Sequence, residues 1–331
     1  MVFELENLTE KVENLSIDSI HNTNWCDIPT EIKLKCIEKL EFKERLSLRR
    51  TAKAERSLVD SQKIRFQRGD IYGWKYSEHL FFLLHREKEC RKVFPRRFED
   101  INEAFEFLEL IRKVGVFENF SISTGDFFTT HRQFVTDDGL LSAKNIEFVG
   151  CNIDTVVAVL RKMSNLMESI KIDLSPTEYA RLAEILGIPQ VQNVPYWHIR
   201  NYHLTGSLHK VAQMWIDKKS KIGSTFQVSV YRNDSFNQFL NHFIDRIVSK
   251  NDRRVHIRTN VPDRLILLER GIVPNHFLIP YDIDFFRLIV ISAEMKESEY
   301  EDDCTEWIRK VMPEIYDYYS EGPFEMSDDD Y

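Results

Sequence analysis

The side chains able to do chemistry are plentiful, but they do not fall at the spacings that chemistry needs. Ten histidines are scattered along the chain. His198 and His256 sit in strand-like segments, and His203 and His209 near a helix start. No HExxH sets two imidazoles on one helix face, and the five cysteines (Cys26, Cys36, Cys90, Cys151, Cys304) lack the CxxC spacing of a thiolate metal site. A Cys–His dyad through Cys90 or Cys151 can be drawn, but nothing in the sequence brings its members together. GxxxxGK followed by Ser or Thr is absent, as is GxSxG, so neither a phosphate-cradling loop nor a nucleophile elbow is readable. These absences leave no catalytic, metal or cofactor site that the sequence can name. Five cysteines, odd in number and far apart, argue for free thiols in a reducing compartment, nuclear or cytosolic. In that compartment the sequons at Asn7, Asn14, Asn119 and Asn233 go unused, and Cys36 and Cys151 are expected to be small buried apolar residues.

Residues suited to binding are easier to find, because successive side chains of a strand point to opposite faces. If Ile146, Phe148, Ile170 and Ile172 point inward, then Glu147 and Lys171 point outward. The same alternation puts His198, Arg200, Gln227, Ser229, His256 and Arg258 outward, and the eight are expected to line one continuous exposed face. The alternative for each is a merely solvated position. Aromatic residues are also abundant, with 23 Phe, 12 Tyr and 5 Trp, enough to fill a core and still leave some as binding anchors.

The elements that must position these residues recur. Short apolar segments with strand-type alternation are centred near Ile122, Phe148, Ile172, Ile199, Val228, Ile257 and Ile289, at intervals of 24–32 residues. Between them lie helical patterns at 154–163, 176–186, 207–219 and 234–248, with Asp154, Ser175-Pro176 and Asp234-Ser235 as start signals. This is the period of a leucine-rich-repeat-like solenoid, although the LxxLxLxxN consensus is missing and a doubly wound α/β domain gives a similar alternation. Residues 64–114 read as a helical connector, with an apolar stretch at Leu80–Leu84 and a helical run from Ile101 to Val114.

The chain has 331 residues, about two domains' worth. At 43% hydrophobic and 30% charged it is globular, and no apolar run approaches the ~18 residues of a membrane span. The start, MVFELENLTEKVENLS, is acidic and amphipathic, which is not the pattern of a secretory signal. Residues 297–331 carry thirteen acids against Arg309 and Lys310, a net of −11 within a total of −8, so residues 1–296 sum to +3. Lys and Arg are interleaved with Glu and Asp in that body, so neither nucleic acid nor membrane is expected as a partner, and the acidic tail 321–331 is expected to be solvated.

From Trp25 to Asp60 the pattern sharpens. Trp25-Cys26-Asp27-Ile28-Pro29 leads into a helix with Pro29 suited to its first turn, and Ile32, Cys36, Ile37 and Leu40 recur at helical spacing. Short helices over 42–50 and 52–60 follow. Three such helices cannot bury much alone and call for a partner to cover them. The stretch WCDIPTEIKLKCIEKLEFKERLSLRRTAKAERSLVD resembles an F-box of the kind that heads nematode proteins with an FTH-type associated region. Trp25, Pro29, Ile37, Leu40, Leu46, Leu48, Arg49, Arg56, Val59 and Asp60 fit the family pattern, whereas Ile28, Thr51 and Glu55 depart from it. FEFLELIRKVGVFENFSI and the Trp215 helix VAQMWIDKKSKI resemble the FTH-like region more loosely.

That resemblance implies an α+β fold with a three-helix F-box at 25–63, between an extension at 1–24 and the connector at 64–114. An irregular leucine-rich-repeat-like α/β solenoid at 115–320 would hold the substrate. It further implies a non-catalytic, cofactor-free adaptor subunit of a ubiquitin ligase. Such a subunit docks on a Skp adaptor through Trp25, Ile28, Pro29, Leu34, Ile37, Leu40 and Leu48, and reaches cullin and RING subunits through it. Within that set, Ile37 and Leu40 lean towards the core and Ile28, Pro29 and Leu34 towards contact. The alternatives are an interaction protein outside any ligase and an enzyme of unrecognised type.

Overall fold

The computed structural model describes residues 24–73, 79–86, 93–125, 139–174, 182–200, 208–231, 234–273, 283–296, 299 and 304–311. The amphipathic start, His203, Cys90, the Ser175-Pro176 start signal and the acidic tail lie outside them. The chain divides into two compact units, Met1–Gln62 and Lys63–Tyr331.

The described part of the first unit is a 3-10 turn at Trp25–Asp27 and helices α1 (Thr30–Lys39), α2 (Phe42–Arg49) and α3 (Lys53–Ser61). Asn24 caps the turn by accepting from the Cys26 N–H, and Pro29 is the N-cap of α1, one residue before the first turn it was expected to occupy. A capping box between Glu41 and Glu44 starts α2. Ile37, Phe42 and Val59 are buried, one from each helix. A unit this small leans on polar ties as well. Buried Arg45 donates from Nε to the Leu40 carbonyl and from Nη2 to that of Glu38, satisfying groups at the end of α1 that the helix leaves open. Arg49 and Asp60 form a bidentate pair from α2 to α3, with Nε–Oδ1 2.7 Å and Nη2–Oδ2 3.2 Å.

In the second unit the described strands form one sheet of twelve, in the order β3-β2-β1-β4-β5-β6-β7-β8-β12-β11-β10-β9. Strands β1 (Ile64–Gly73), β4 (Gly115–Ser123), β5 (Ser142–Cys151), β6 (Ser169–Leu174), β7 (Tyr196–Arg200) and β8 (Thr225–Tyr231) are parallel neighbours. Helix α4 (Ile101–Val114) precedes β4, while α5 (Ile153–Leu160), α6 (Leu182–Leu186) and α7 (Leu208–Lys218) lie in the connections leading to β6, β7 and β8. Antiparallel strands finish both sides. β2 (Leu80–His85) and β3 (Val93–Phe98) extend from β1, and β12 (Ile283–Ser292), β11 (Arg264–Val273), β10 (Arg254–Arg258) and β9 (Ile247–Lys250) extend from β8. Helices α8 (Ser235–His242) and α9 (Cys304–Val311) complete the described elements. Ile146, Phe148, Ile170, Ile172, Ile199 and Val228 are buried at alternate positions, as the pattern requires.

Several expectations need correction. Residues 64–114 are not a helical connector. They hold three strands before α4, which begins at Ile101 and ends at Val114 as read. In β1 the polar run Gln67-Arg68 interrupts the apolar alternation, and in β3 Pro95 does so. Asn152, not Asp154, caps α5, its Oδ1 accepting from the Thr155 N–H at 2.7 Å. The helix expected over 234–248 ends at His242, and Ile247–Lys250 is strand. Cys36 is exposed, whereas Cys151 is buried with its thiol directed at the Ile122 carbonyl, 3.4 Å away. Burial pushes that thiol's pKa up. No described helix is long and apolar enough to cross a membrane.

Candidate functional site

Two surfaces carry binding character, one in each unit. In the helical unit, Trp25 donates from Nε1 to the Glu55 carboxylate at 3.2 Å, and the Lys33 ammonium lies over the indole ring 5.7 Å from its centre. Glu55 is only 8% exposed, so this hydrogen bond is what makes a carboxylate tolerable where an apolar residue is usual. Thr51 is exposed and bonds locally to the Leu48 carbonyl, so it disturbs no core. Ile28, Leu34, Leu40 and Leu48 are half-buried, Pro29 is exposed and Ile37 is fully buried. Ile32, 46% exposed, and Cys36 share an outer stripe of α1 four residues apart. Both appear in the helical pattern, yet spacing alone assigned that stripe to the interior.

The second surface is one face of the sheet. Residues opposite each other in register share a face, and the register strings polar side chains into a row from β1 to β10: Asp70, Ser121, Glu147, Lys171, His198, Gln227, Arg287, Glu269, Arg254. Four expected face residues, Glu147, Lys171, His198 and Gln227, are consecutive in it. Arg200 and Ser229 are neighbours one pleat further along, with Arg200 reaching Asp173 at 3.5 Å. His256 and Arg258 are not continuous with them, because the sheet places β12 and β11 between β8 and β10. The expectation of uniform exposure is also corrected: Gln227, Ser229 and His256 are buried. Gln227 accepts from the Tyr196 hydroxyl at 2.8 Å, and His256 Nδ1 lies 2.8 Å from the Ser249 hydroxyl. The Ser229 hydroxyl and His198 Nε2 have no hydrogen-bond partner among the described residues. Burial, then the charges of Lys171 and Arg200, lower the pKa of His198 to about 4, so its ring is neutral at pH 7.

Towards β1 the face holds a cleft of about 380 Å³ over β1, β4, β5 and β6. Arg68, Asn119, Asn145, Glu147, Ser169 and Lys171 line it, with Phe120, Ser121 and Ile146. Its floor is a ladder of side-chain hydrogen bonds. Asn119 Nδ2 donates to the Gln67 carbonyl, Asn145 Nδ2 to Asn119 Oδ1 and the Glu118 carbonyl, and the Ser169 hydroxyl to Asn145 Oδ1. Arg68 is held by its Nε on the buried Asp70 carboxylate, at 2.8 Å. The ladder residues were not among the expected face residues, although Asn119, Asn145 and Ser169 recur at 26 and 24 residues, the interval of the strands themselves. Arg68 had no such signal, because β1 was not recognisable as a strand.

Towards the other end, α9 covers the face. The Arg287 guanidinium lies 4.9 Å from the centre of the Trp307 ring, and Phe285 meets that ring edge-on at 6.4 Å. Glu269, 1% exposed, accepts from Arg287 Nε at 2.6 Å and Arg254 Nε at 3.1 Å. Among the described residues no three His, Cys, Asp or Glu are grouped so as to hold a metal.

Residues 25–67 match the family model of the F-box domain, a match that takes in the helical unit and the first residues of β1. F-box domains in general bind Skp-family adaptors, and the proteins that carry them are in general non-catalytic substrate receptors of Skp–cullin–F-box ligases. No curated protein and no solved structure matches the chain.

Proposed function

We propose that this chain is the substrate-receptor subunit of a Skp–cullin–F-box ubiquitin ligase, acting in the cytosol or nucleus. The observation that carries the reading is the apolar surface left open on a helical unit that matches the F-box domain: Ile28, Pro29, Ile32, Leu34 and Cys36 are exposed or half-buried on and beside α1. Burying such a patch against a partner is favourable at about 25 cal/mol per Å² of apolar surface. In this reading Trp25, Ile28, Pro29, Leu34, Leu40 and Leu48 contact the Skp adaptor, joined by Ile32 and Cys36, while Ile37 belongs to the interior beneath them. The adaptor brings cullin and RING subunits, and the transfer chemistry is theirs.

The sheet unit then holds a protein target on its polar face. Parallel neighbours β4 to β8 in chain order, with helical connections, support a repeat architecture like that of leucine-rich repeats and of the FTH-like region. Glu147, Lys171, His198, Arg200, Gln227 and Ser229 are its contiguous candidates, with His256 and Arg258 as an outlying pair.

Co-expression of the full chain with a Skp adaptor, followed by size-exclusion chromatography, tests the proposal. A stoichiometric complex is expected, and Ile28→Asp with Pro29→Ala should abolish it while the circular dichroism of the chain stays unchanged. Because neither residue is buried, a retained complex counts against the surface. A chain that runs alone and well folded ends the receptor reading.

A further inference from the structure

The polar row meets the cleft at Glu147 and Lys171, which lie opposite each other on adjacent strands. Lys171 is exposed and Glu147 half-buried, so solvent reaches both. Among the described residues neither makes a hydrogen bond or an ion pair, although strands run only ~4.8 Å apart. Arg68, across the cleft, adds a second cation whose side chain is 54% exposed. The floor beneath them is already tied up, because the amide nitrogens of Asn119 and Asn145 and the Ser169 hydroxyl all donate to one another or to backbone carbonyls. What the cleft still offers is therefore the Glu147 carboxylate and the Lys171 ammonium side by side, next to a guanidinium that Asp70 already holds. The next pleat of the same face adds an apolar contact in Val149, 40% exposed and in register with Asp173.

We infer that this cleft is where the target is gripped, and that it takes a peptide segment carrying a basic residue beside an acidic one. The inference rests on the receptor reading for the word target, though not for the binding chemistry. The basic side chain pairs with Glu147 and the acidic one with Lys171. A segment of acidic residues alone would set a like charge against Glu147, and a segment of basic residues alone would set one against Lys171. Both arrangements are disfavoured by repulsion as much as the mixed one is favoured by attraction. At about 380 Å³ the cleft is near the lower end of the range that takes a compact ligand, enough for a few side chains.

Fluorescence anisotropy on the full chain, with and without the Skp adaptor, tests this with three short Gly/Ser peptides carrying Lys–Asp pairs, Asp only or Lys only. The Lys–Asp peptide is expected to bind at least about tenfold more tightly than either of the others. Glu147→Lys alone and Lys171→Glu alone should each weaken it about tenfold, and the double swap should restore it, since the pair is then rebuilt in the opposite order. Equal binding of the single-sign peptides, no binding of any, or binding indifferent to both swaps would overturn the inference. Adaptor capture by the same proteins separates the two ideas. Capture without peptide discrimination leaves the receptor reading standing and removes the cleft, whereas discrimination without capture does the reverse.

Discussion

One row of polar side chains crosses the sheet, and two stretches of it, one closed and one open, put nearly the same chemistry to opposite uses. At β10–β12 a buried carboxylate, Glu269, serves two arginines under the roof of Trp307. At β5–β6 a carboxylate and an ammonium stand in register beside an open cleft, with no hydrogen bond or ion pair to each other or to another described residue. Residue types are nearly the same in the two places. What differs is whether the protein has already supplied each charge with its partner. A charge that is buried and satisfied fixes architecture, because desolvation makes any other arrangement costly. A charge left reachable and unsatisfied costs the fold little and remains free to select a ligand.

The largest test of that contrast is at the closed end. Glu269→Gln leaves Arg254 and Arg287 facing a neutral amide in a buried setting, and about 3–5 kcal/mol of stability should be lost, the scale for breaking a buried pair from one side. Urea unfolding followed by tryptophan fluorescence measures it; a loss under about 1 kcal/mol would place this end in the same class as the open one.

Next comes His198, at the boundary between the ends. Its folded pKa of about 4 lies below the unfolded value of 6.5, so between those limits the unfolded chain binds a proton that the native ring does not. Stability is therefore lost as pH falls from about 6.5 towards 4, by up to roughly 3 kcal/mol from this residue. His198→Gln should remove that share, so the gap between variant and parent in urea midpoint should move in the variant's favour from pH 7 to pH 4.5. A gap that stays constant would mean the imidazole is not held neutral.

How far these ends were visible beforehand follows from what each residue's neighbours are. Alternation alone was enough to put Glu147, Lys171, His198 and Gln227 on one face, because β5 to β8 pair in chain order and each apolar neighbour in the pattern is buried, but it did not show that Gln227 is covered there. It failed for His256 and Arg258, since β12 and β11 enter the sheet between β8 and β10, and no local pattern encodes which strand comes next. The same insertion brings Arg287 and Glu269 into the row, and neither was a candidate. In the helical unit, Glu55 looked like a defect in the pattern until its partner was known to be Trp25, thirty residues earlier. Ile32 and Cys36 show the converse: helical spacing identifies an apolar stripe, but it does not say whether the stripe faces inward or towards a partner.

A smaller effect is expected from the cleft floor. Asn145→Ala removes two donated bonds and one accepted from Ser169, at a net cost of about 1–2 kcal/mol because water can enter and replace part of them. If the loss approached that of Glu269→Gln, the floor would belong with the closed end, and the cleft would have to be counted as structure rather than as a binding surface.

The smallest effect sharpens the comparison most. Glu147→Gln and Lys171→Met delete charges from the same row as Glu269, yet each should change stability by no more than about 0.5 kcal/mol, as for an accessible side chain with no hydrogen bond or ion pair among the described residues to lose. Lys171→Met carries a second signature. Lys171 is the larger of the two charges opposing protonation of His198, so its removal should raise that imidazole's pKa while burial and Arg200 keep it below 6.5. An NMR titration of the His198 ring reads this directly. A raised pKa with unchanged stability is the behaviour of a charge felt by its neighbours but not used by the fold. If Lys171→Met instead cost as much as Glu269→Gln, Lys171 would have to hold a partner after all, and the distinction between the two ends would collapse.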